Sequence, residues 1–411
     1  MNDLMFSIVI PYKQRLDNIR AVFTSLAEQT LDPAGFEIVV GAMEYDPAFV
    51  SLCREFTDRL RIVSVLTADE WNTSQARNLG IRHASGRVVV VLDADVALAP
   101  AALRNLWERH FQHGQNVCVL GQVFGYDEVL DDDVDDVEAQ PYARYRGVFA
   151  ELETADRARL DPRWSAEYAS AFARFPWAFA RTGLMALPTA LIRRHGLLLD
   201  EGFRGWGAED QEWGLRISRT GTPITLGQDV YGVHLPHRRD FASQDRSATL
   251  TNRYYLAKWP RLELELALAF GGWLAADRLF PEAERELAGA GAGRRLGTVR
   301  GTVGGARVLA VGALLDVPPE SGGPAARPPR IDVSAVDDPE IEAVFGGLAG
   351  GRAEVLPLAG FALPYEDDSV DECRVLAPVQ RLSERYRDAI LREAERVSLK
   401  PVAPVGDSSP G

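Results

Sequence analysis

Cysteine is scarce in this chain, with three residues in 411. Cys53, Cys118 and Cys373 lie too far apart for a metal-binding spacing or a disulfide framework, which points to a reducing compartment. Long apolar runs are missing as well. No segment approaches the ~20 apolar residues that a membrane-spanning helix needs, and the apolar part of the opening MNDLMFSIVIPY is too short for a signal peptide. A soluble, cytoplasmic protein with no membrane span is the expectation. Positive charge is in deficit: 45 Lys and Arg stand against 59 Asp and Glu, a formal net charge of -14. That leaves no broad basic surface for nucleic acid. A few local Lys and Arg residues plus a metal ion would still hold an acidic nucleotide.

What is present centres on residues 87–100, RVVVVLDADVALAP. The mostly β-branched run Val88–Leu92 suits a strand buried on both faces of a mainly parallel sheet. Asp93 and Asp95 stand where that strand opens, at the carboxyl edge where open α/β sheets bind ligands. Paired hard oxygen ligands there suit a divalent cation carrying phosphate. An acidic turn that only ends a strand is the plainer alternative. Around this run, strands at 6–10, 36–40 and 61–66 alternate with helices. Helical spacing of Leu16, Ile19, Val22, Phe23 and Leu26 marks the first, 46–60 the second and 71–85 a loop and the third. Such alternation implies a doubly wound α/β domain, continued by a helix at 101–113 and a strand at 116–123. The acidic run 131–138 reads as solvated surface, since it lacks the glycine turn and ligand spacing of a calcium loop. Residues 144–174 read as helical, 178–187 as a strand and 188–195 as a helix.

Two later stretches carry chemistry. Residues 198–219 read LLDEGFRGWGAEDQEWGLRISR, where Gly202, Gly205 and Gly207 let the chain bend around Phe203 and Trp206. From Ala208 the chain reads as helix with Glu209, Asp210 and Glu212 in its first turn, where acids also favour the helix dipole. Trp206 between two glycines is not explained by capping. An aromatic surface beside a carboxylate suits holding and deprotonating a sugar hydroxyl. Residues 231–240, YGVHLPHRRD, place His234 and His237 close together, while His83, His110, His113 and His195 are isolated. Two neighbouring histidines in a chain with an Asp pair point to metal binding.

In this order, the segments resemble a family 2-type glycosyltransferase of the GT-A fold. PYKQR is similar to the PFRNR-like nucleotide segment of β-1,4-galactosyltransferases, and WNTSQARNLGIRHASGRVVVVLDAD resembles the ARNxGI…LDAD pattern. GFRGWGAEDQE resembles the GWGxEDxE motif shared with chondroitin-polymerase-type enzymes, and VHLPHRRD is similar to the galactosyltransferase metal segment. The resemblance implies that Pro11, Tyr12, Lys13 and Arg15 contact the uridine and diphosphate, with Arg77 nearby. It implies Asp93 at the ribose or metal, and Asp95, His237 and His234 as candidate ligands of Mn2+ or Mg2+. Trp206 would stack on sugar or acceptor, Glu209 would hold an acceptor hydroxyl, and Asp210 would be the general base. One departure is VVGAMEYD in place of a VVDDGS-type turn, which removes an Asp that reads uracil. Glu44 or Asp46 is the candidate substitute.

The activity so implied is metal-dependent, inverting transfer of a hexose or N-acetylhexosamine from a UDP-sugar donor to a hydroxyl or thiol of a glycan, peptide or small-molecule acceptor. A nucleotide- or carbohydrate-binding module without catalysis, and a bifunctional glycosyltransferase-methyltransferase, are the alternatives. The first domain is expected to span 1–287, closed by a helix at 262–287. A glycine-rich linker at 288–305 follows, then a truncated Rossmann-like α/β domain at 306–400 and a disordered tail at 401–411. LPYEDDSVDECRVL and LREAERVSLKP resemble the later half of class I methyltransferases, but VLAVGALLD lacks the glycines of their cofactor loop. A degenerate domain is implied, used for docking or for a homodimer.

Overall fold

The computed structural model describes residues 4–125, 139–152, 163, 165–237, 240–316, 336, 339–345 and 353–404. The chain forms two compact units, Met1–Thr251 and Asn252–Gly411. No helix among the described residues is long and apolar enough to cross a membrane.

The first unit is built on an eight-stranded mixed sheet in the order β3-β2-β1-β4-β7-β6-β8-β5. Its strands are β1 (Phe6–Tyr12), β2 (Phe36–Ala42), β3 (Ile62–Leu66), β4 (Val88–Leu92), β5 (Val96–Leu98), β6 (Cys118–Phe124), β7 (Leu184–Pro188) and β8 (Ile224–His234). Strands β1, β2, β3 and β4 are parallel, and the chain winds outward from β1 to β3 before returning to place β4 on the other side of β1. The order therefore reverses between β1 and β4, the kind of switch point at which α/β sheets open a ligand crevice. Every residue of β1, β2 and β4 is buried, because helices cover both faces. β4 and β5 are four places apart in the sheet but joined by three residues. A flat sheet would hold them roughly 19 Å apart at about 4.8 Å per strand. The chain from Leu92 to Val96 reaches only ~14 Å, so the sheet curls back on itself and brings its far edge to the end of β4.

Helix α1 (Leu16–Ala27) buries Ile19, Val22, Phe23 and Leu26, the expected face. Helix α2 (Pro47–Glu55) starts at Asp46, whose side chain accepts from the Ala48 N–H. Helix α3 (Thr73–His83) lies close on the sheet, since a Cβ on Gly41 would run into the Ala76 carbonyl oxygen. The strand expected at 178–187 is shorter: a tight helical turn at Pro176–Phe179 precedes β7. The 144–174 stretch contains helices Tyr142–Leu152 and Ala166–Arg174, and the acidic run 131–138 lies outside the described residues.

The second unit corrects the expected boundaries. The helix expected at 262–287 is two helices, Leu262–Phe270 and Trp273–Ala290, broken where Gly271 and Gly272 take φ of 92° and 98°. Both belong with the second unit, where the buried Glu265 carboxylate accepts from the N–H groups of Ala359, Gly360 and Phe361. The glycine-rich 288–305 segment is no linker. It holds a helix end and strand β9 (Arg295–Val303), which pairs antiparallel with β10 (Ala306–Leu315) around a Gly304–Gly305 turn with positive φ at both glycines. With β11 (Glu354–Leu356), β12 (Glu372–Val375) and β13 (Ala403–Pro404) the sheet order is β11-β9-β10-β12-β13, in which β9 runs antiparallel to both its neighbours and the β10–β12 and β12–β13 pairs are parallel. The expected start of the tail thus contributes an edge strand.

Candidate functional site

The site forms at the carboxyl ends of β1 and β4. After β4 the chain turns tightly, with the Val96 N–H donating to Asp93 O at 3.1 Å. Register then decides what meets Asp95: β5 runs antiparallel to β8 with Val96 opposite His234, and the Leu235 N–H donates to Asp95 O at 2.7 Å. This draws both histidines onto one buried carboxylate oxygen. His234 Nε2 lies 3.9 Å and His237 Nδ1 3.6 Å from Asp95 Oδ2, and one donor atom from each of the three residues falls within 4.8 Å of the others. From the other side of the switch point, Arg15 forms an ion pair with the same Asp95 oxygen. One carboxylate and two imidazoles can hold a borderline divalent cation, and such a set suits Mn2+ better than Mg2+, which prefers oxygen.

Helix α3 supplies the second part of the site. Its Arg77 is buried and forked between two carboxylates, with Nη2 2.9 Å from Asp93 Oδ1 and Nη1 3.0 Å from Glu209 Oε1. Burial alone would lower the Arg77 pKa, but the Asp93, Glu209 and Asp210 charges together raise it. Burial raises the Glu209 pKa, with the Asp210 charge adding to it and Arg77 opposing. Asp210 is also raised, first by burial, against the opposing pull of Arg77 and of the Thr182 N–H, which lies 3.3 Å from Asp210 Oδ2. Glu209 Oε2 is buried without a hydrogen-bond partner among the described residues. An incoming hydroxyl would satisfy it.

The loop before this acid pair is set by backbone geometry. Gly205, Gly207 and Ala208 have φ of 99°, 104° and 64°, which turns the Trp206 indole outward, 58% exposed. The helix Phe241–Lys258 fixes its main chain: the Trp206 N–H donates to Ser247 Oγ at 2.6 Å, and Thr251 Oγ1 lies 3.2 Å from Trp206 O. Helix α3 anchors the chain just before the loop. Asn72 Nδ2 donates to Glu201 O at 2.9 Å, and Asn78 makes reciprocal bonds with the Leu199 backbone at 2.8 and 2.9 Å. Asn72, Asn78, Thr182, Ser247 and Thr251 escape sequence reasoning. The advance signal is an asparagine at the cap of the Arg77 helix with another inside it, and two hydroxyls four residues apart in another helix.

Other expected residues divide. Lys13 Nζ sits 5.7 Å over the Trp71 ring at the end of β1. Pro11 lies within β1, opposite Gly41. Tyr12 is corrected: its ring is fully buried and stacked on Phe49 at 4.1 Å, and its hydroxyl donates to Asp46 Oδ2 at 3.2 Å. Its side chain is core, because β1 is covered on both faces. Asp46 is committed to that bond and to capping α2, and Glu44 at the same edge is half-buried. Arg238 and Arg239 lie outside the described residues.

The chain is similar to known proteins over much of its length. Residues 7–157 match the family model described as Glycosyl transferase family 2. A validoxylamine A glucosyltransferase from Streptomyces hygroscopicus subsp. limoneus is 26% identical over 432 residues, spanning 97% of this chain and 90% of that protein. Another of the same name, from Streptomyces hygroscopicus subsp. jinggangensis (strain 5008), is 28% identical over 296 residues, 69% of this chain and 66% of that protein. Among solved structures, a mannosyltransferase from Pyrobaculum calidifontis in complex with GDP-Man and Mn2+ is 20% identical with a TM-score of 0.45, covering 70% of this chain and 75% of that one. The chain is therefore a glycosyltransferase, and its residues 7–157 match the family 2 model.

Proposed function

We propose that this glycosyltransferase moves a hexosyl group from a UDP-sugar to a hydroxyl of a small-molecule acceptor, by a single displacement that inverts the anomeric carbon. The observation that carries this reading is the Arg77 fork, which ties Asp93 of the β4 turn to Glu209 of the acid pair. One buried guanidinium thereby connects the switch-point edge, where a nucleotide diphosphate would lie, to the carboxylates that would meet an acceptor. Two relatives named for glucosyl transfer to validoxylamine A favour a glucosyl donor and a small acceptor over a peptide or polymer.

In this reading Asp210 is the general base and takes the proton of the attacking hydroxyl, which Glu209 holds through its open oxygen. Trp206 offers a flat apolar face to a sugar ring. Lys13 and Arg15 stand at the carboxyl end of β1 to meet the diphosphate, and Glu44 is the polar group left to read the base. Asp95, His234 and His237 would hold Mn2+, with Mg2+ as the weaker fit. When bound, such an ion neutralises charge developing on a leaving diphosphate.

The test is a panel of UDP-, GDP- and dTDP-sugars with Mn2+, with and without chelator, scored by nucleotide release with small polyhydroxylated acceptors. Chelator-sensitive release from a UDP-hexose is expected. Asp210→Asn should keep UDP binding while kcat falls by about 10²–10⁴-fold. The acid limb of the wild-type pH profile should lie above the usual carboxylate range, because burial raises Asp210. UDP binding with no release from any donor and acceptor would make the chain a binding module instead. Normal turnover of Asp210→Asn would remove Asp210 as the base.

A further inference from the structure

The two arginines of the site are built differently. Arg77 is buried and held by two carboxylates at once, so it is fixed in place. The Arg15 side chain is 43% exposed and has one carboxylate partner among the described residues, Asp95, whose own side chain is 5% exposed. Arg15 follows Gln14, which takes φ of 57°, on the loop leaving β1 at the switch point. It can swing outward without repacking a core.

Its partner atom is the telling one. Arg15 pairs with Asp95 Oδ2, the oxygen that lies nearest to both His234 and His237. A divalent ion held by these three residues would claim that oxygen and place a double positive charge beside the guanidinium, so ion and arginine compete for one carboxylate. With no ion, a buried Asp95 needs a countercharge, and Arg15 supplies it.

We propose that Arg15 is a releasable countercation of the metal site. It holds Asp95 until the ion arrives, then yields the carboxylate, and its freed guanidinium turns to the donor diphosphate. The inference rests on the metal-site reading above and adds a consequence. Displaced Arg15 regains a countercharge only when the diphosphate binds, so metal and nucleotide strengthen each other's binding reciprocally.

The experiment is titration of the full chain with Mn2+, followed by electron paramagnetic resonance, and with UDP, followed by calorimetry. Wild type, Arg15→Gln and Asp95→Asn are compared, each checked for an unchanged thermal transition. Without nucleotide, Arg15→Gln should bind Mn2+ at least about fivefold more tightly than wild type. The factor by which Mn2+ tightens UDP binding, expected at about 5–150-fold in wild type, should shrink at least about fivefold in Arg15→Gln. Equal or weaker Mn2+ binding by Arg15→Gln would overturn the countercation role. Asp95→Asn separates the two ideas, because loss of Mn2+ binding there supports the metal site whatever Arg15 does. Wild-type Mn2+ affinity in Asp95→Asn, or no Mn2+ binding by any of the proteins, would overturn the metal site and the Arg15 role with it.

Discussion

Arg77 carries more than its own hydrogen bonds, because it is the countercharge for an acid pair that burial would otherwise neutralise. Removing one partner of a buried ion pair leaves an uncompensated charge and costs about 3–5 kcal/mol. Arg77→Met should therefore destabilise the first unit by about that amount, read as a lower urea midpoint at unchanged slope. Arg77→Lys should recover part of the stability but little transfer, since an ammonium cannot span Asp93 and Glu209 as a planar fork does. A wild-type midpoint in Arg77→Met would show that the carboxylates find another partner. The residues of this site that were legible in the sequence share a cause. Asp93, Asp95, Trp206, Glu209, Asp210 and the two histidines are chemically costly groups in short ordered motifs. Tyr12 was misread because β1 is buried along its whole length, so no polar–apolar alternation tells which way a side chain faces. Thr182 and Ser247 were invisible because their partners, Asp210 and Trp206, lie 28 and 41 residues away.

At the scale of elements, alternating strands and helices through β4 were readable from apolar spacing, and the glycines were not. Gly41 explains why this chain departs from a VVDDGS-type turn, since α3 lies too close at that point for any side chain. The glycines of 288–305 look like a linker by composition, but Gly297 makes room for Leu315, and Gly304–Gly305 closes a hairpin. Glycine content alone does not separate chain that must bend from chain that must pack closely. Glu265, in the helix read as closing the first domain, gives the element-scale prediction. Burial pushes its pKa up to about 7 despite three backbone N–H donors that favour the charged form. A carboxyl that is harder to ionise folded than unfolded adds stability below its ordinary pKa of about 4.3 and loses it as pH rises through the folded value. The urea midpoint of the second unit should therefore fall between pH 5 and pH 8, and Glu265→Gln should narrow that fall. An unchanged pH dependence in the variant would assign the effect to other groups.

Across the whole molecule, no helix among the described residues is long and apolar enough to cross a membrane, while the division into units was only half readable, because it depends on which sheet the 262–290 helices join. That division bears on whether the chain runs one reaction or two. The alignment with a protein named a validoxylamine A glucosyltransferase spans 97% of this chain, so it extends into the second unit. Within that unit, the VLAVGALLD run that resembles a methyltransferase cofactor strand lies at β10, and its neighbour β9 runs antiparallel to it. Side chains of the same unit pack against the glycines near the carboxyl end of β10. A Cβ on Gly312 would come within 2.6 Å of Val379 Cγ2, and one on Gly360 within 2.5 Å of Val311 Cγ1. A dinucleotide-type cradle needs backbone open to its ligand at that end, and these glycines instead admit side chains of the same unit. Calorimetry on the full chain should accordingly show no binding of S-adenosylmethionine in a preparation that binds UDP. Saturable binding there would mean that the end of β10 opens, and would make the second unit a catalyst in its own right, with a methyl transfer to place beside the sugar transfer.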